Sequence, residues 1–150
     1  MEDIFSEAAI VKIAKLLNCT WIHRGNNYRL LLEDPATNRK LVLEIYPNIK
    51  IGNRIGNIIS VNTPTAHLQL QFCTGFVLSK QLGEVTFYAE SGDKVSGLVV
   101  ERVVGCSMYA NVDRSVLSGN FTNLGPEVML SGIALSLTEH LLDSTKGANR

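Results

Sequence analysis

Eight short apolar runs lie between residues 19 and 103: CTWIHR, YRLLLE, KLVLEIY, NIISVN, HLQLQFC, FVLSKQL, EVTFYAE and VSGLVVERV. They are rich in β-branched and aromatic residues and too short for typical helices, so they predict strands. Between them stand GNN, DPATN, TPT and SGDK, which carry the Gly, Pro and Asx chemistry of turns. DPATN and SGDK are short enough to close hairpins, so consecutive runs should pair antiparallel. The stretch YPNIKIGNRIGN reads as irregular, because Pro47 should stop a strand and Gly52 and Gly56 follow it.

Helical spacing appears on both sides of this β region. Over residues 3–17, Ile10, Ile13, Ala14 and Leu17 share one face, Asp3 is a candidate cap, and Asn18 suits the end. Asp113 is placed to cap a short helix through Leu117. Gly125-Pro126-Glu127 predicts a helix over 126–142, since Pro fits the first helical position and Glu favours the positive end. Its apolar residues, among them Val128, Met129, Ile133 and Leu137, cover more than one face. It should therefore pack on the sheet and also meet a second copy or a partner. The expected fold is α+β: one antiparallel sheet or half-barrel of about six to eight strands with N-terminal and C-terminal helices packed on it. Residues 1–143 form the single domain and 144–150 a flexible tail.

A chain of 150 residues, 45% hydrophobic and 19% charged, suits one such domain. Fourteen Lys and Arg balance fourteen Asp and Glu, which argues against a general nucleic-acid binder. The charge is nonetheless uneven. Residues 18–60 hold six basic side chains against three acidic ones, and residues 112–143 hold one against four. MEDIFSEAAIVK has no basic stretch ahead of an apolar one, so no signal peptide is expected. VMLSGIALSL is about half the length a spanning helix needs. Cys19, Cys73 and Cys106 are an odd number without close spacing, which predicts reduced thiols and a cytoplasmic protein with no membrane span.

Motifs for chemistry are sparse. No CxxC, HxxxH or HExxH occurs. His67 and Cys73 would share a strand face, but six residues of strand span about 20 Å, too far for one ion. A metal site assembled from distant segments, such as His23 with Cys106, is left open. IGNRIGN lacks the GK[ST] of a phosphate loop and the GxGxxG of a dinucleotide fold. No GxSxG elbow exists, and Ser91 and Lys94 fit SxxK only within a hairpin turn. Cys106 follows a glycine at the end of a strand and precedes Ser107, Tyr109, Asn111 and Asp113. A histidine drawn close would make it a nucleophile, whereas a small buried thiol is equally ordinary packing. No catalytic residue, metal or cofactor is assigned.

HLQLQFC carries the main candidate site. Leu68, Leu70 and Phe72 should face the core, leaving His67, Gln69 and Gln71, with Cys73, on the other side. That side is uncharged yet can donate and accept hydrogen bonds. It fits either an amide ladder across neighbouring strands or a docking surface with a low desolvation cost. The helix–strands–helix order resembles that of the small secretion-chaperone-like folds, which hold a client segment on an antiparallel sheet. The chain departs from them by lacking a middle helix between KLVLEIY and HLQLQFC. Its texture is also similar to that of small soluble cyanobacterial proteins. The resemblance implies a chaperone-like role without assigning any residue. The expected function is a non-catalytic protein-binding or assembly-factor domain that presents His67, Gln69 and Gln71 to a partner. The alternatives are a small-molecule binder with a concave sheet pocket and a cysteine-dependent enzyme using Cys106.

Overall fold

Burial alternates over residues 28–33 and 41–46, and this period of two fixes which way those strands face. The computed structural model describes residues 3–113, with side chains through Tyr109. Nine strands occur in this part: β1 (Thr20–Arg24), β2 (Asn27–Asp34), β3 (Arg39–Ile51), β4 (Arg54–Asn62), β5 (His67–Leu70), β6 (Gly75–Ser79), β7 (Glu84–Ser91), β8 (Lys94–Glu101) and β9 (Gly105–Asp113). One helix, α1 (Glu7–Leu17), precedes them. Strands β1 to β5 form one sheet and β6 to β9 another, and every pairing is antiparallel between neighbours in sequence.

This overturns the α+β expectation of one sheet flanked by two helices. The described residues are mostly β, in sheets of five and four strands with a single short N-terminal helix. The reason lies at the end of β5. HLQLQFC is not one strand: Phe72 takes a left-handed φ of 57°, which an extended strand cannot pass through. Phe72 packs beside Gly56, and the Arg54 guanidinium lies 4.1 Å from its ring centre. Cys73 therefore turns inward and is buried rather than joining His67 and the glutamines. The chain then starts a second sheet at Gly75. The helix expected over 126–142, the short helix after Asp113 and the 144–150 tail lie outside the described residues.

Pro47 does not end its strand either. A bulge between Tyr46 and Ile49 absorbs it, with Asn48 at φ 53°, and β3 continues to Ile51. The buried Asn57 ties both irregularities together. Its Oδ1 accepts from the Asn48 N–H (3.0 Å), and its Nδ2 donates to the Cys73 carbonyl (3.0 Å).

Helix α1 starts later than its periodicity predicts. Ser6, not Asp3, is the N-cap, and its Oγ accepts from the Ala9 N–H at 3.2 Å. Asn18 closes the helix in the left-handed conformation, as its sequence position suggests. Ile10, Ile13, Ala14 and Leu17 form the buried stripe, and the helix touches β1, β2 and β7. It thus bridges the two sheets. Just ahead of it, Phe5 stacks on Phe76 (centroids 5.5 Å apart) and lies 6.1 Å from Phe87. From the other side the core receives Leu30, Leu43, Ile45, Ile59 and Val61 of the first sheet.

The opposite face of the second sheet carries a row across four strands, Gly75–Tyr88–Gly97–Tyr109, each paired with the next. The tyrosine rings lie over the glycines, Tyr88 on Gly75 and Tyr109 on Gly97. Two steps along the same face, beyond the Thr86–Val99 pair, Glu84 pairs with Glu101. Glu84 is buried, and its Oε1 has no hydrogen-bond partner. Burial first, and the Glu101 carboxylate second, push its pKa above 4.5. The unfolded chain ionises first as pH rises, so this residue costs stability above about pH 4.5. Glu84→Gln should raise the unfolding free energy at neutral pH by about 1 kcal/mol. Urea titration should show that gain disappear in acid.

Candidate functional site on the outer sheet face

The register of the first sheet sets two rows on the face turned away from the core. One runs Ile22–Arg29–Glu44–Ser60–Gln69, and the next Thr20–Leu31–Val42–Asn62–His67. The interleaved rows contain Leu30, Leu43, Val61 and Leu70 and point into the core. His67 and Gln69 are thus brought together on the outer face, as their alternation predicts, and both are exposed. Gln71 lies just beyond the strand end. It is also exposed and donates through Nε2 to Gln69 Oε1 (3.2 Å).

The face is internally bonded. Ser60 Oγ lies 2.9 Å from His67 Nε2, and Asn62 Nδ2 donates to Glu44 Oε1 at 3.4 Å. Arg29 Nε stands 3.9 Å from Glu44 Oε2. These contacts orient the polar side chains while leaving the outer sides of His67, Gln69 and Gln71 open. A shallow basin of about 320 Å³ opens here, lined by Glu44, Tyr46, Ile58, Ser60, His67 and Gln69 among others.

The sequence reading missed the other end of the face. Ile22 is 50% exposed and Leu31 41%, on adjacent rows beside the half-buried Val42. The signal was present in CTWIHR: once Trp21 is placed inward, Ile22 must point out. An apolar end thus runs into an uncharged polar end, with the Arg29–Glu44 pair between them.

Cys106 lies within β9 rather than at a strand-to-helix junction, and packs against the core from the inner side of the second sheet. His23 stacks on Tyr28 (4.4 Å between centroids), while His67 faces Ser60. Among the described residues no three His, Cys, Asp or Glu side chains gather to hold a metal. No disulfide joins the three cysteines. Burial pushes the Cys19 thiol up to about 11 and the Cys73 thiol to about 12, from 9.0. Burial also raises the Tyr109 phenol to about 12 from 10.0. In alkali the unfolded chain loses these protons first, so stability should fall steadily from about pH 9 to about pH 12. Over the same range iodoacetamide should label Cys19 slowly, and Cys73 only on unfolding; rapid labelling of native Cys73 would contradict its burial.

Among the described residues no helix is long and apolar enough to cross a membrane. Searches against protein-family models, curated proteins and solved structures returned no match to the chain.

Proposed function

We propose that the protein is a non-catalytic binding domain of the assembly-factor type, docking another protein on the outer face of its five-stranded sheet. The carrying observation is the exposed apolar pair Ile22 and Leu31, on the same two rows as the oriented polar side chains His67 and Gln69. Protein interfaces combine an apolar centre of this kind with a polar rim that is cheap to desolvate. Three cysteines without a disulfide support a cytoplasmic location within this reading.

The test is a comparison of complexes recovered from native extract by the parent chain and by Gln69→Lys. The exposed position predicts a stability change within about 0.5 kcal/mol. A photocrosslinker at position 31 should join the same partner in the parent and lose it in Gln69→Lys. If no protein crosslinks at position 31, or if Gln69→Lys leaves the crosslink intact, the outer face is only a solvated surface. Recovery of a small molecule whose release follows Gln69→Lys would favour the basin as a ligand site instead.

A further inference from the structure

We propose that the end of the molecule formed by α1, the β6–β7 turn and the β8–β9 turn docks on an anionic lipid surface. The two turns, residues 80–83 and 102–104, lie side by side, because the Arg102 N–H donates to the Gly83 carbonyl at 2.8 Å. The Arg102 guanidinium is folded back close to Gly83, so it stays near Lys80. Helix α1 adds Lys12 and Lys15. The four cations line one groove of about 680 Å³ whose apolar floor is Leu16 and Leu78. No acidic side chain lines it, and none of the four forms an ion pair among the described residues. Glu84 and Glu101 stand nearby in sequence, but on the opposite face of the sheet from Leu78.

The apolar residues at this end give the charge its meaning. Leu82 is 41% exposed and Val103 63%, one in each turn. Val11, on the exposed side of α1 and adjacent in sequence to Lys12, is also exposed. In a chain of zero net charge, four cations without an ion-pair partner among the described residues, beside two apolar turn residues, are a local concentration. Lys and Arg reach lipid phosphates on long stems while short apolar tips enter the headgroup boundary, and the two terms add. A soluble polyanion would use the cations and leave Leu82 and Val103 in water. That distinction favours the lipid surface. The contact is peripheral and needs no spanning segment. It also lies apart from the outer face of the first sheet, which stays open to its partner.

Full-length protein should co-sediment at physiological salt with vesicles mixing phosphatidylcholine and phosphatidylglycerol, and much less with phosphatidylcholine alone. Lys80→Glu with Arg102→Glu should lower binding at least about tenfold. Leu82→Ser with Val103→Ser should lower it about fivefold. Both pairs are exposed turn residues, and matching circular dichroism spectra check that the fold survives. As an independent readout, Val103→Trp should shift its emission to shorter wavelength with the mixed vesicles, and not with inorganic phosphate alone. Absence of co-sedimentation overturns the proposal, as does binding that survives both double variants. Loss with the charge variant alone, with an acidic peptide displacing the protein from the vesicles and no Val103→Trp emission shift, overturns it too, and identifies the groove as a site for a soluble polyanion.

Discussion

Phe87→Ala should lower the unfolding free energy by about 3–5 kcal/mol, the largest single loss expected in the chain. Phe87 is fully buried on the inner face of β7, 6.1 Å from Phe5 and 6.4 Å from Phe76. Removing its ring leaves a cavity where the segment ahead of α1 meets the second sheet. It also removes two of the three aromatic contacts that hold Phe5 and Phe76 together. Backbone strands on both sides hold the walls apart, so little of the void can close. Because α1 also touches β1 and β2, the loss should be felt across both sheets as one cooperative transition. Chemical denaturation followed by far-ultraviolet circular dichroism and by Trp21 fluorescence should give coincident midpoints. A loss below about 1 kcal/mol would mean that the aromatic cluster is not packed as described.

Gly97→Ala should cost about 1–3 kcal/mol, against the usual gain from replacing a strand glycine. A Cβ at this position falls on the Tyr109 ring, 2.6 Å from Cε1 and nearer still to Cζ. Tyr109 is itself buried, so its ring cannot simply lift away. The pair can be isolated by a double-mutant cycle. In a Tyr109→Ala background the overlap is gone, and Gly97→Ala should be neutral or stabilising. Equal costs in the two backgrounds would show that the ring does not lie over the glycine.

The existence of most strands was legible because each apolar run is short, β-rich and ended by a turn residue. The DPATN and SGDK hairpins follow from those residues alone, as does the helix stripe of Ile10, Ile13, Ala14 and Leu17. The division into two sheets was not legible. It turns on the left-handed Phe72, a conformation made possible by Asn57 holding Cys73 and by the missing side chain at Gly56, against which the Phe72 ring packs. Nothing in the alternation of HLQLQFC marks that break. The bulge at Pro47 was hidden for the same reason, since the hydrogen bond that accepts it comes from nine residues away. His67 and Gln69 were placed correctly on the outer face because their strand is regular as far as Leu70. Ile22 and Leu31 were overlooked because a strand face is defined only when its neighbours are in register. The basic groove was invisible, as its four cations come from three separate segments.

Every strand in the described part pairs only with the one before or after it, and this governs how quickly the chain can find its structure. Each ladder closes a loop of a few residues, so little chain entropy is lost before contacts begin to form. The ordering differs from a Greek key, where a distant strand must return before the sheet is complete. Low sequence separation between contacts favours rapid folding for an all-strand body. The five-stranded and four-stranded meanders can grow independently from their own hairpins, and joining them requires that β5 meet β7 and β8 and that α1 and Phe5 close over both. Refolding should therefore show two early hairpin-centred phases followed by one docking step. Loss of Phe87 would act chiefly on the docking step and leave the early phases unchanged.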